Sequence, residues 1–212
     1  MVITYANLLI SFVLGVYLGV PGAAMPVSAS VASVPEAVLT DPSAEIQAEI
    51  PDVPFYSQFK DIQSPEWRKK ACGVASLAMI INFYRPETVS TQTLLKEGIA
   101  AGAYLNNAGW THQGLAFLAE NYSLDGASYD LSGLSMDSAF ARLAEFLKTG
   151  PVIASVYYTF DPDSPIPHLV VVNGIENNIV YYNDPAAKTG GEKISTADFM
   201  TGWKKRFIVI RP

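Results

Sequence analysis

Residues 72–84, CGVASLAMIINFY, place apolar side chains on nearly every face of a helix and stop at Arg85-Pro86, where the proline cannot continue one. A helix without a polar face has to be buried all round. This stretch therefore predicts a central helix around which the rest of a domain packs. The chain has 212 residues, 50% of them hydrophobic, enough for one sizeable core, whereas a second full domain would be crowded. We expect one domain.

The segments before that helix read differently. Residues 1–20, MVITYANLLISFVLGVYLGV, are uncharged and apolar, long enough for a signal-peptide core or a spanning helix. Small residues follow, and Gly22-Ala23-Ala24 or Val27-Ser28-Ala29 would each suit signal peptidase. Cleavage is the favoured expectation; the absence of Lys or Arg ahead of the apolar run leaves a retained membrane anchor as the alternative. Either reading sends the chain into the secretory route. Residues 25–50 are rich in Ala, Val, Ser and Pro and show no sustained period, as in an extended linker. The expected division is 1–29 as signal peptide or anchor, 30–50 as linker and 51–212 as the domain.

Within the domain, a second helix is predicted from Gln113 to about Tyr122 with Thr111 as its cap. A third runs from Met136 to Lys148 with Ser135 as cap and Gly150 beyond its end. After Pro151 the pattern turns to β-branched and aromatic runs, at 152–158, 168–175, 178–184 and 207–210, which predict strands. Helices first and strands later indicate an α+β fold, with a buried helix packed on a C-terminal antiparallel sheet.

Charge narrows the partners. There are 14 Lys+Arg against 20 Asp+Glu, a net charge of −6, so no basic field attracts a phosphate backbone and nucleic acid is not expected. Four of the acids, Glu36, Asp41, Glu45 and Glu49, precede residue 51, where there is no Lys or Arg, and the remainder is nearly neutral. Two histidines and one cysteine match no zinc spacing, and no glycine-rich phosphate motif occurs, so no cofactor or metal is expected.

Cys72 is the single cysteine, so no intrachain disulfide can form and its thiol is free. A lone cysteine is usually a small buried hydrophobe. Cys72, however, opens the central helix, where the partial positive charge of the helix N-terminus favours thiolate over thiol, and Lys69 and Lys70 precede it. A thiolate nucleophile needs a base within reach, and the chain offers His112 and His168. His112 follows the cap Thr111 and reads as a first-turn polar residue without an acid to orient it. His168 opens a strand, and the partner strand of its hairpin ends in Asp184, a carboxylate able to take the other ring proton. Read singly, His168 is a polar strand end and Asp184 a turn residue before Pro185.

Hairpin parity tests whether the two can meet, because side chains alternate between faces and the register decides which residues lie opposite. With a three-residue loop at 176–178, Ile175 faces Ile179 and Asp184 lies opposite Val170, diagonal to His168 and on its face. Such diagonal neighbours are about 7–8 Å apart at the backbone. A two-residue loop would put them on opposite faces. Gln58, in VPFYSQ, can supply a side-chain N–H to an oxyanion beside the Cys72 backbone N–H.

VPFYSQ (53–58), ACGVASLAMIINFY (71–84), GWTHQGLAFLA (109–119), GPVIASV (150–156), HLVVVNGI (168–175) and YYNDP (181–185) together resemble papain-like peptidases of the bacteriocin-leader-processing type, peptidase family C thirty-nine, and especially its stand-alone relatives. The resemblance spans nearly all of 52–210. It implies a papain-like fold, with Gln58 in the oxyanion hole, Cys72 as nucleophile, His168 as base and Asp184 orienting it. It also implies thiol-dependent hydrolysis of a peptide bond in a peptide or protein substrate. Leader-processing members are fused to an exporter, and the 212 residues here have no room for one, so cleavage after a double glycine is not implied; Gly190-Gly191 reads as a loop turn. Two other functions fit the same four residues: an amidase or acyltransferase acting on another amide, for example in cell-wall peptides, and a surface binding module without turnover. A monomer is expected, secreted or held at the membrane by residues 1–20.

Overall fold

The computed structural model describes residues 49–106 and 108–212. The signal peptide or anchor and all but the end of the linker lie outside the described residues. No helix among those described is long and apolar enough to cross a membrane.

The central helix, α1 (Cys72–Tyr84), has the predicted bounds, and Gly73 to Asn82 are all buried. α2 (Thr91–Ala100) follows, capped by Ser90, whose hydroxyl accepts from Thr93 N–H. β1 (Tyr104–Leu105) pairs with β2 (Gly109–Trp110). α3 (His112–Glu120) starts one residue earlier than predicted and is capped by Thr111. β3 (Asp125–Asp130) precedes α4 (Met136–Leu147), capped by Ser135. Then come β4 (Val152–Tyr157), β5 (Pro167–Glu176), β6 (Ile179–Asn183), β7 (Glu192–Ser195), α5 (Thr196–Gly202) and β8 (Trp203–Arg211). The large sheet is antiparallel, with strand order β3-β8-β4-β5-β6-β7.

The sheet has a hydrophobic layer on each face, which explains why its strands read as unbroken apolar runs. Ile153, Leu169, Val171, Ile208 and Ile210 pack with α1, α2 and α3. Their neighbours Val152, Ala154, Val170, Val172, Phe207 and Val209 pack with α4 and α5. The expectation of helices in one half and a sheet in the other is thereby refined. β3 comes from the first half and forms one edge of the sheet, and helices cover both faces.

Where β3 crosses α3 the backbones nearly touch: a Cβ on Gly126 would run into the Ala116 carbonyl. Neither backbone can move without disturbing a ladder or a helix. Gly126→Ala is expected to destabilise the domain by about 2 kcal/mol, in the range of overpacked cores. Urea unfolding checks this, and an unchanged midpoint would show that α3 and β3 can slide apart.

The β5–β6 hairpin departs from the predicted register. Glu176 pairs with Ile179 and Ile175 with Val180, so the turn has two residues, Asn177 and Asn178, and not three. Both have positive φ, 50° and 62°, the conformation of the tight turn that matches strand twist and that asparagine tolerates. A two-residue turn alone would separate His168 from Asp184. Between Val172 and Gly174, however, the register shifts, and beyond it Val172 pairs with Tyr182 and Val171 with Asn183. Asn173 is the extra residue of a β-bulge. The bulge restores at the far end of the hairpin the pairing that a three-residue loop would have set.

Candidate active site

One end of the sheet and the start of α1 enclose a cavity of about 830 Å³, and both Cys72 and His168 line it. Cys72 is half-buried, between buried Ala71 and buried Gly73. Ala71, at the cap position of α1, makes no side-chain capping bond and the first turn holds no acid. The N–H groups at the helix start are therefore not consumed by a cap. Trp110 fixes the approach to the thiol: its indole N–H donates to the Lys70 carbonyl at 2.5 Å. The same ring fills the space beside Gly73, where a Cβ would come within 2.6 Å of it.

His168 is 3% exposed. Its Nε2 and Asp184 Oδ1 are 2.6 Å apart, which leaves Nδ1 for the thiol. Tyr158 stands edge-on to the ring at 5.3 Å and 88°. Asp184 Oδ1 also accepts from the Ala186 N–H at 2.7 Å, so the carboxylate is held by its own turn as well as by the ring. The bulge makes this diagonal pair possible, and the predicted meeting of His168 and Asp184 stands, although the turn from which it was argued does not.

Burial is the largest influence on the His168 ring and lowers its pKa. Hydrogen bonds to Asp184 and Cys72, with the negative charge of both, outweigh it and raise the pKa to about 9. A histidine whose folded pKa lies above its unfolded value of about 6.5 contributes stability that is fully present below the unfolded value and is lost as pH rises through the folded one. Asp184→Asn removes the charge but retains an oxygen acceptor. The His168 midpoint, followed by NMR of its ring protons, is expected to fall below about 9 in that variant, and the loss of stability is expected to begin at lower pH. A midpoint that does not move would mean that Asp184 does not hold the imidazolium.

Gln58 is buried and is not among the residues that line the cavity. Its backbone N–H donates to the Pro185 carbonyl at 2.9 Å, and its side-chain Nε2 donates to the Arg68 carbonyl at 3.0 Å, four residues before Cys72. Asn183 completes the junction, its Nδ2 donating to the Val53 carbonyl at 3.0 Å and its Oδ1 accepting from Gly191 N–H at 2.8 Å. Gly190-Gly191 falls in the loop between β6 and β7, and Gly191 has a φ of +83°, a turn role as expected.

His112 belongs to the wall of the same cavity, so its reading as a residue local to a helix start is incomplete. Burial lowers its pKa first, and the charges of Arg206 and Lys204 lower it further against the opposing effect of Asp130. Sequence reasoning also missed Tyr129, Asp130, Ser155, Lys204 and Arg206, which share this wall. Asp130 pairs with Arg206 across β3 and β8, and Arg206 with Ser155 across β8 and β4. The signal was in plain view as Lys204-Lys205-Arg206, a charge run that reads as a solvated surface.

The chain shares its fold with a double glycine motif protease from an AMS/PCAT transporter, solved in complex with a leader peptide, at 22% identity and a TM-score of 0.53 over 76% of this chain and 93% of that one. A C39-like peptidase from Bacillus anthracis matches at 22% identity and a TM-score of 0.57, over 77% and 96%. The peptidase domain of Streptococcus ComA, a bi-functional ABC transporter involved in quorum sensing, matches at 22% and 0.51, over 68% and 92%. No curated protein sequence matches the chain. The fold is the papain-like α+β arrangement expected from the sequence. The model of the Peptidase_C39 like family matches residues 50–211, from the second to the last but one of the described residues, and the chain belongs to that family of cysteine peptidases.

Proposed function

We propose that the protein hydrolyses a peptide bond through an acyl-enzyme on Cys72, on the outer side of the cell membrane. The observation that carries this reading is the His168 ring. It is buried, bound through Nε2 to Asp184 and close to the Cys72 thiol in an open cavity. Deprotonated by His168, the Cys72 sulfur attacks the carbonyl carbon; the imidazolium then protonates the leaving amine, and the thioester is hydrolysed by water activated by the same ring. Asp184 keeps the ring in the required tautomer and stabilises its charged form. The oxyanion accepts hydrogen bonds from the Cys72 backbone N–H and from the second N–H of Gln58 Nε2, the first being held by Arg68. A peptide substrate is supported by the family and by the structural neighbour solved with a leader peptide.

The test is incubation of the full chain with a peptide library, before and after alkylation of its single thiol, with fragments identified by mass spectrometry. Cleavage that survives alkylation rules the mechanism out. Gln58→Ala is expected to lower kcat about a hundredfold with a much smaller change in KM, the size typical of one lost oxyanion donor. Equal kcat in the two proteins would assign Gln58 to packing alone. Export is supported by the apolar run at 1–20, and N-terminal sequencing of protein recovered outside the cytosol distinguishes a cleaved signal from a retained anchor.

A further inference from the structure

The charged wall of the cavity plays no part in the chemistry just described. Lys69 and Lys70 stand on the side of the thiol, and Lys204 and Arg206 on the side of β8; Asp130 is the one carboxylate among the lining residues. Asp130 is already engaged, its Oδ2 accepting from Arg206 Nε at 2.9 Å. Among the described residues no carboxylate lies within ion-pair distance of Lys69, Lys70 or Lys204. Lys70 and Lys204 instead rest over the rings of Trp67 and Tyr157, at 5.5 and 4.4 Å from the centroids.

Of the lysines elsewhere in the domain, Lys96, Lys188 and Lys193 make no side-chain hydrogen bond or ion pair among the described residues, Lys193 resting over the Tyr181 ring, and three are held by the chain itself. Lys60 donates to the Lys188 carbonyl, Lys148 to Glu145, and Lys205 to the carbonyls of Ser132 and Leu134. Around the cleft, Lys69, Lys70 and Lys204 are left without anions and Arg206 has Asp130 alone, on a chain of net charge −6. Partial burial and the neighbouring Arg206 both disfavour the charged form of Lys204, a cost that a bound anion would relieve. Cations lining a concave site also concentrate and orient substrates of opposite charge. Tyr104, Trp110 and Ile166 give the same cavity apolar surface, as suits a peptide more than a small inorganic anion.

We infer that the substrate is an acidic peptide, whose Asp or Glu side chains near the scissile bond are received by Lys69, Lys70, Lys204 and Arg206. This rests on the peptidase reading. For any bond that the full chain cleaves, peptides with Glu at flanking positions are compared with the same peptides carrying Gln. The expected acidic-over-amide ratio of kcat/KM is roughly five- to tenfold at low salt, falling toward one at high ionic strength. Lys204→Gln should reduce that ratio, and Asp130→Asn, which releases Arg206, should increase it. Lys148→Gln, which makes the same change in net charge away from the cleft, should leave the ratio unchanged. A variant that merely loosens the fold lowers both rates and leaves the ratio alone. A ratio near one in the unaltered protein, or one insensitive to Lys204, overturns the inference while leaving the peptidase intact. No thiol-dependent cleavage of any peptide overturns both.

Discussion

Cys72→Ala is expected to abolish turnover, a loss of about a millionfold where the nucleophile is removed from a covalent mechanism. No other residue can stand in, because Cys72 is the only thiol in the chain. The fold should hardly notice. Cys72 sits half-buried at the wall of an open cavity, so losing its sulfur leaves no sealed void, and a stability change below about 1 kcal/mol is expected. Single-turnover kinetics measures the first effect and thermal unfolding the second. Residual peptide cleavage above one part in a thousand would show that water, and not an acyl-enzyme, carries the reaction.

His168→Ala is expected to cost nearly as much activity, about ten thousandfold or more, since it removes the group that takes the thiol proton and returns it to the leaving amine. Unlike the cysteine variant it should also destabilise the protein, by about 1–3 kcal/mol. Asp184 would keep the Ala186 N–H but lose its charged partner in a largely buried position. His168→Gln separates the two consequences. A glutamine amide can donate to Asp184 but cannot shuttle protons, so stability should recover and activity should not. Comparable kcat in the glutamine variant and the unaltered protein would end the assignment of His168 as base.

Much of this site was legible because its members lie at element boundaries with strong local signals. Cys72 follows directly on a non-capping alanine at the head of an apolar helix, and the cap Ser135 marks α4 just as plainly. Other elements were hidden for stateable reasons. β3, DGASYD, has exposed positions along most of its length, so an edge strand there leaves no apolar alternation to detect. β8 opens with Trp203 and then Lys204-Lys205-Arg206, and Lys205 has a φ of 55°, which breaks the strand pattern where the cleft begins. α2 carried a readable cap in Ser90 before TQTLL, and the short loop after Pro86 obscured it. VPFYSQ is a strap joined to Asn183, Pro185 and Arg68 through contacts 10 to 130 residues distant, which no local pattern encodes.

The hairpin turn was misread as three residues, yet the pairing expected at Asp184 is the pairing found. A three-residue turn without a bulge and a two-residue turn with one consume the same number of residues between Ile175 and the Val171–Asn183 pair. Gly174, isolated in an otherwise β-branched strand, was the available clue to the second arrangement.

That equivalence has a consequence for how the chain can change length. Asn173 is the one residue of β5 between Val171 and Glu176 without a partner on β6, so deleting it would leave the rungs Gly174–Tyr181 and Val172–Tyr182 adjacent and His168 still on the face of its acid; one residue added at the turn would lengthen the turn and keep the same rungs. Removing a residue that lies between the Val171–Asn183 rung and His168 would, by contrast, turn the ring one pleat away from Asp184. Locating the acid by counting straight from the turn, with no allowance for the bulge, therefore lands on the wrong face, and the count has to start from the rung where Val171 meets Asn183.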